Sequence, residues 1–167
     1  MVRIEAPKYI KRPVLLKLQA VGRHAAYNAA AALAVGFAFG CGIRAMQKAL
    51  EAVKNYDKRM EIRSIRDITV INDTYNANPD SVLAALDLLQ QLQVSGSRCV
   101  VLGDMLELGK ASAQEHEAIG AALAAAGVPY VLTFGRRARA ISRAAASVAR
   151  YAAHFTEKQS LCDALDT

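Results

Sequence analysis

Residues 72–81 read Asn-Asp-Thr-Tyr-Asn-Ala-Asn-Pro-Asp-Ser, between the apolar run 68–71 and a helical stripe that begins at Val82. The apolar run, Ile-Thr-Val-Ile, has the length and β-branched content of a buried strand. Asn78 is a good helix N-cap and Pro79 suits the first helical position. Polar residues that follow a strand stand where open α/β sheets bind ligands. The stretch therefore predicts an α/β fold with a ligand site at the carboxyl end of a strand.

Predicted strands and helices alternate from residue 59 onward. This pattern implies a mainly parallel sheet with right-handed crossovers. Ser112 and Glu115 have capping-box spacing, and Thr156 is expected to cap a last helix. The predicted strands are 60–65, 68–71, 99–102 (a buried strand), 130–134 and 152–155, and the predicted helices are 79–92, 112–126, 136–148 and 156–167.

The first 55 residues form a separate predicted segment. It has two short strands, near 2–6 and 14–18, and two helices, 25–39 and 43–53. A lone hairpin is marginally stable, so these strands are expected to belong to a sheet whose other strands are absent from this sequence. The polar run 54–58 is the predicted boundary between a domain of residues 1–55 and one of residues 56–167, and the last helix is expected to be cut off at Thr167.

The composition narrows the classes of partner. The chain has a net charge of +6 and 53% hydrophobic residues, which supports a folded core rather than disorder. It has no tryptophan and no nucleic-acid motif, so a nucleotide or phosphorylated small ligand suits the charge better than DNA or RNA. A basic surface without a specific partner is the plain alternative.

The compartment is inferred from cysteines and hydropathy. Cys41, Cys99 and Cys162 match no zinc or redox spacing and are interpreted as buried or incidental free thiols. No apolar leader follows Met1, and the alanine-rich run 25–39 is too short to cross a membrane. We expect a cytoplasmic protein with no membrane insertion.

Residues 103–111 imitate a phosphate-binding loop but do not satisfy its pattern. Five residues separate Gly103 from Gly109 where four are required, and Ala111 stands where a Ser or Thr must reach Mg²⁺. No catalytic triad and no metal cluster is predicted anywhere in the sequence. The only prediction for His116 is a structural role.

A few polar residues are individually suited to ligands. His24 and Asn28 share one helix face and can hydrogen-bond a purine, although capping the helix is the more usual role for a residue such as His24 taken alone. Asp73 can accept from ribose hydroxyls, and Arg59 can reach a phosphate, although each alone is typical of surface charge. The amides Asn76 and Asn78 can orient a peptide, or simply form the turn and cap.

Taken together, these segments resemble the Mur ligase family. Beyond the four matching segments given below, His116 and Gly120 also agree with the family. The order of the motifs is specific, and the run Asp-Thr-Tyr-Asn-Ala-Asn-Pro separates the chain from sister ligases that add other amino acids. The matching segments, which together span about residues 14–135, are Gly22–Asn28, Lys58–Glu61, Asn72–Ser81 and Val101–Gly109.

The resemblance implies a three-domain ligase that uses ATP and Mg²⁺. The family reaction forms an acyl phosphate on UDP-MurNAc-tripeptide, which the amine of D-Ala-D-Ala attacks. This chain resembles the tail of the central ATPase domain followed by a Rossmann-like C-terminal domain with a mainly parallel sheet. Its partners would be ATP, D-Ala-D-Ala and UDP-MurNAc-tripeptide, together with the N-terminal and central domains of a parent chain.

The resemblance also implies roles for individual residues. Asn28 with His24 would lie on the adenine side, Arg59 at the phosphates or ribose, and Asp73 at the ribose. The residues expected to orient the dipeptide, followed by two weaker candidates in the same cleft, are Tyr75, Asn76, Asn78 and Ser81, then Asp104 and Glu107.

Two departures limit the expectation. Ala25 stands where the family usually has Asn directly after the motif His, which weakens the adenine-side assignment. The phosphate loop, the modified lysine and the sugar-binding domain have no counterpart in residues 1–167, so the chain is expected to be inactive alone. Two alternatives remain open: a free-standing, non-catalytic binding module of the same ancestry, and a generic flavodoxin-like domain.

Overall fold

The computed structural model describes residues 1–5, 12–19, 22–53 and 58–166. Contacts divide the chain into two units, Met1–Tyr75 and Asn76–Thr167. The strands are β1 Val2–Ile4, β2 Val14–Leu16, β3 Glu61–Ile65, β4 Ile68–Asn72, β5 Cys99–Leu102, β6 Tyr130–Phe134 and β7 Tyr151–Phe155. The helices are α1 Arg23–Ala38, α2 Ile43–Ala52, α3 Pro79–Gln91, α4 Ser112–Ala125, α5 Arg139–Ala145 and α6 Lys158–Leu165.

The first unit contains a small core between a hairpin and two helices. Strands β1 and β2 pair antiparallel, with Val2 opposite Leu16. The side chains of Leu16, Leu33 and Met46 are buried together, which places the apolar faces of α1 and α2 against the hairpin. Gly40, at φ 73°, follows α1 in the left-handed conformation that favours glycine. The predicted elements are confirmed here; residues 54–57, at the predicted domain boundary, lie outside the described residues.

Strands β3 and β4 form an antiparallel hairpin, and the prediction of a buried strand at 68–71 is wrong. The pairing runs from Glu61 opposite Asn72 to Ile65 opposite Ile68. Ile68 is 66% exposed. A connection of only Arg66 and Asp67 can join antiparallel neighbours but not parallel ones. The apolar run alone could not separate these two pairings, because both use β-branched residues.

The second unit holds the parallel sheet, with strand order β5-β6-β7. The central strand β6 is buried, with Val131 fully enclosed. Val101 on β5 is 45% exposed, so the prediction that this strand is buried is wrong. In the described chain β5 is an edge strand, since it pairs with β6 alone. The α/β class with a parallel sheet is confirmed, although the hairpin β3–β4 forms a separate two-stranded sheet.

Helix starts test the local predictions. Asn78 caps α3: its side chain accepts from Ser81 N at 2.9 Å, and the Ser81 hydroxyl accepts from Asn78 N at 3.1 Å. The capping box predicted at Ser112 does not form, because the N-cap of α4 is Ala111, which follows the 3-10 turn Gly109–Ala111. The N-cap of α6 is Glu157 rather than Thr156. The sequence spacing therefore predicted the cap of α3 correctly and the caps of α4 and α6 incorrectly.

Helix α5 begins at Arg139, three residues later than predicted, because the preceding turn is held by another part of the chain. The three cysteines are free and exposed, so the interpretation as buried thiols is wrong while the incidental one stands. Within the described ranges, no helix is both long and apolar enough to cross a membrane.

Gly120 sets the distance between α4 and α5, and we predict that enlarging it destabilises the second unit. A Cβ built there would lie 2.5 Å from the carbonyl oxygen of Ile141 and 2.6 Å from Cβ of Ala144. Gly120→Val should therefore lower the free energy of unfolding by about 1–3 kcal/mol, as overpacked sites do. Urea denaturation measures it, and Gly96→Ala, where nothing lies within 4 Å, is the control. Equal midpoints for Gly120→Val and the unsubstituted chain would contradict the packing argument.

Candidate functional site

Two motifs of the first unit meet beside the β3–β4 hairpin. The backbone N–H of Met60 donates to Oδ1 of Asp73 at 2.9 Å, and the N–H of Tyr75 donates to the carbonyl of Lys58 at 3.0 Å. The guanidinium carbon of Arg59 lies 4.0 Å from the centroid of the Tyr75 ring, a distance typical of a cation–π contact. We call these residues, Lys58–Met60, Asp73 and Tyr75, the Arg59 cluster.

Backbone conformation holds Arg59 in place. Its two neighbours, Lys58 at φ 60° and Met60 at φ 47°, are non-glycine residues in the left-handed region. Such residues cost on the order of 1–3 kcal/mol each and persist where the surroundings fix them. Here the hydrogen bonds to Lys58 O and from Met60 N supply that fixation. The Arg59 side chain is therefore presented from a constrained backbone.

The Arg59 cluster offers polar groups of both signs to a ligand. Arg59 is exposed, and Tyr75 is 64% exposed. Among the described residues, no donor binds Oδ2 of Asp73, so this oxygen is available to accept. A guanidinium and a carboxylate oxygen together suit the phosphate and the ribose of a nucleotide.

The remaining residues predicted for the nucleotide are less informative. Asn28 lies exposed on α1. The backbone of His24 belongs to the first turn of α1, but its side chain lies outside what the structure describes. The assignment of both residues to the adenine side stays a prediction.

The predicted dipeptide residues of the second unit differ in how much of their polarity is free. The amide oxygen of Asn78 and the hydroxyl of Ser81 are engaged in the cap of α3. Asn76 is exposed, and among the described residues only its side-chain oxygen is used, accepting from Ala77 N at 3.0 Å. Its amide N–H₂ therefore remains available as a double donor. Of these residues, Asn76 is the best suited to hold a ligand.

Asp104 anchors the turn that follows β6, and its place in a ligand cleft stays a prediction. Its carboxylate accepts three backbone N–H groups, from Arg136 at 3.1 Å, Arg137 at 2.8 Å and Ala138 at 2.7 Å. Gly135 has φ 110°, and a Cβ there would lie 2.5 Å from Oδ1 of Asp104. The sequence offers one signal for this contact, which is the glycine directly after β6. The carboxylate lies more than 30 residues away along the chain, so local patterns do not reveal the pairing.

The same loop is fixed a second time by His116. This side chain is fully buried, and its Nε2 accepts from Met105 N at 3.0 Å. Because Nε2 accepts, the proton lies on Nδ1, which donates to the carbonyl of Ser112 at 2.6 Å. The structural role predicted for His116 agrees with these contacts. Glu107, at φ 63°, is exposed and stays a candidate for ligand contact.

This chain is similar to known proteins of the family that its motifs resemble. Residues 58–167 match the family model described as "Mur ligase, glutamate ligase domain". The chain is 35% identical over 148 residues to the UDP-N-acetylmuramoyl-tripeptide–D-alanyl-D-alanine ligase of Bacillus subtilis, covering 87% of this chain and 32% of that protein. It is 36% identical over 149 residues to the enzyme of that name from Escherichia coli, covering 89% and 31%. The chain thus spans about a third of the length of these relatives.

Solved structures give the same grouping. A crystal structure of MurF from Acinetobacter baumannii superposes with a TM-score of 0.79 at 31% identity, covering 92% of this chain and 33% of that one. MurF from Thermotoga maritima, solved with ADP, shares the fold with a TM-score of 0.65 at 23% identity, covering 80% and 29%. With the family model matching well over half of its residues, this chain belongs to the Mur ligase family.

We predict that the Asp104 carboxylate is a large stabilising contact of the second unit. Asp104→Ala leaves three backbone N–H groups without their acceptor, and hydrogen bonds to a charged acceptor contribute about 1.5–3 kcal/mol each. Because the bonds share one partly exposed side chain, we expect a total loss of about 2–3 kcal/mol in the free energy of unfolding. Asp104→Asn, which keeps one acceptor oxygen, should lose less.

Chemical denaturation of the purified chain measures this effect. The matched control is Asp87→Ala, which removes an exposed carboxylate from α3. If Asp104→Ala is no more destabilised than Asp87→Ala, the proposed anchoring of the turn at 136–138 is wrong.

Proposed function

We propose that this chain is part of an ATP-dependent ligase that joins D-alanyl-D-alanine to UDP-MurNAc-tripeptide in peptidoglycan precursor synthesis. The family match supports a Mur ligase domain. The named relatives that cover most of this chain are D-alanyl-D-alanine ligases. Because the chain spans about a third of their length, the activity belongs in this proposal to a protein that includes segments beyond residues 1–167.

The observation that carries the proposal is the Arg59 cluster. Two motifs separated by 13 residues are joined by the Met60–Asp73 hydrogen bond, and the Arg59–Tyr75 stack lies beside it. In the proposed ligase, Arg59 contacts the ATP phosphates or ribose, and Oδ2 of Asp73 accepts from the ribose hydroxyls. A generic flavodoxin-like domain has no need for this arrangement, and the family match sets that alternative aside.

The reaction that we propose has two steps. The tripeptide carboxylate attacks the γ-phosphorus of ATP, which forms an acyl phosphate and releases ADP. The amine of the dipeptide then attacks the acyl carbon, which forms the amide bond and releases phosphate. In this scheme Asn76 orients the dipeptide, with Tyr75, Asn78 and Ser81 near it and Asp104 and Glu107 in weaker supporting positions.

Mg²⁺ would screen phosphate charge in such a reaction. Among the described residues, no group of three or more His, Cys, Asp or Glu side chains is arranged to hold a metal ion. Those residues do not fit a metal site by themselves, so no step is assigned to the metal here. We also propose that this ligase acts in the cytoplasm.

The nucleotide site is tested by removing its two charges. We expect Arg59→Gln and Asp73→Asn each to weaken ADP binding about tenfold or more, because each removes a charge-assisted hydrogen bond of about 1.5–3 kcal/mol. Isothermal titration calorimetry on the purified chain measures the affinity. Arg66→Gln, an exposed arginine in the hairpin turn, is the matched control.

The dipeptide provides the reciprocal arm of that experiment. Asn76→Ala should weaken D-Ala-D-Ala binding and leave ADP affinity unchanged, whereas Arg59→Gln should do the reverse. If all variants bind both ligands as the unsubstituted chain does, the assignment of these residues is overturned.

Turnover distinguishes the ligase from the alternative, a non-catalytic binding module. Residues 1–167 contain no Gly-Lys-Thr phosphate loop, so the purified chain should release no ADP when given all three substrates. The full reading frame that encodes it should release ADP only when D-Ala-D-Ala and the tripeptide substrate are both present. Robust turnover by the chain alone would contradict the first expectation, and an inactive full-length product would favour the binding module.

A further inference from the structure

Basic residues that look scattered in the sequence line one groove of the second unit. The groove has a volume of about 690 Å³ and lies between the start of α4 and helix α5. Among its lining residues, only one is a carboxylate, and five are cations: Glu117 against Lys110, Arg136, Arg137, Arg139 and Arg143.

The fold holds both walls of this groove. Asp104 binds the backbone of the turn that presents Arg136 and Arg137. On the other side, the 3-10 turn that carries Lys110 leads directly into α4, which packs closely on α5 at Gly120. Because Asp104 engages the backbone N–H groups of this turn, its bonds do not involve the guanidinium groups of Arg136 and Arg137.

Ion pairing distinguishes the cations of the groove from other arginines of the chain. In the part of the chain that the structure describes, none of the five forms an ion pair with a carboxylate, whereas Arg3 and Arg63 pair with Glu5 and Glu61. Arg98 is likewise engaged, donating to the carbonyls of Leu89 and Leu92. Like charges gathered in a concave surface raise the local concentration of anions.

A neighbouring histidine responds to this charge. His154 on β7 contacts Thr133 Oγ1 of β6 through Nδ1 at 3.0 Å. Burial lowers the pKa of His154, and the positive charges of Arg139 and Arg143 on α5 lower it further, against an opposing effect of the Asp104 carboxylate. The positive charge of these arginines therefore acts on His154, so the pKa of His154 can report whether a bound anion neutralises them.

We propose that this groove binds a compact small molecule that carries two or more phosphate groups. Guanidinium groups bind phosphate oxygens through paired N–H donors, and several arginines together match a ligand with several phosphates. The volume lies within the range of small-molecule sites, and a concave groove suits a free ligand better than a flat membrane surface. The proposal does not rest on the ligase reaction, since neither Arg59 nor Asp73 lines the groove.

Inorganic pyrophosphate is the probe that tests it. We expect saturable binding to the purified chain by isothermal titration calorimetry, weakening as salt rises. The double variant Arg139→Gln/Arg143→Gln, which changes two exposed side chains, should weaken the affinity at least tenfold. Arg150→Gln, an exposed arginine outside the groove, is the matched control, and circular dichroism verifies that each variant is folded.

NMR titration of His154 gives a second readout. Without ligand, its imidazole should titrate below the usual value of 6.5, because burial and the nearby arginines disfavour the charged form. Pyrophosphate should raise this pKa by neutralising Arg139 and Arg143. A His154 pKa that does not move on saturation would place the ligand elsewhere.

The remaining outcomes separate this site from others. Absence of saturable pyrophosphate binding, or equal losses in Arg150→Gln and the double variant, would overturn the proposal. Binding to vesicles of anionic phospholipid that pyrophosphate fails to displace would also overturn it, in favour of a surface for lipid headgroups. Failure of the ligase proposal would appear in the ADP and D-Ala-D-Ala titrations, whereas failure of this one would appear in the pyrophosphate titration of Arg139→Gln/Arg143→Gln, so the two are distinguishable.

Discussion

The second unit depends on one carboxylate that binds the backbone of a distant turn. Asp104 follows β5, and the three N–H groups that it accepts follow β6, so a single side chain ties two loops at the carboxyl edge of the sheet. Gly135 is required beside it, since any side chain would occupy the position of the carboxylate. The late start of α5 and the placement of the arginine-rich turn follow from this contact.

The loop after β5 is fixed by two contacts, one with the turn before α5 and one with helix α4. Asp104 fixes the turn before α5, and Met105 N is bound by the buried imidazole of His116 on α4. A loop whose polar groups are used in this way is a rigid support. Other polar side chains of the second unit are exposed, and among them are Asn76 and the arginines of the groove.

Sequence patterns predicted what neighbouring residues decide among themselves. The cap formed by Asn78 and Ser81 follows from spacing, and so do most helices and strands. The pairing of β3 with β4 was missed, because an apolar run looks alike in a parallel sheet and in an exposed hairpin. The Asp104 contacts and the arginine groove join residues distant in sequence, which no local pattern encodes. The resemblance identified the Arg59 motif, but only the structure showed how Tyr75 and Met60 hold it.

The left-handed residues on either side of Arg59 also limit how this protein can be stabilised. Lys58 is exposed and left-handed, so glycine at that position would relieve strain on the order of 1 kcal/mol. The same change would free the backbone that carries the arginine. Glycine at position 58 would therefore raise stability but loosen the position of the Arg59 guanidinium, so an engineered variant would gain one property and lose the other.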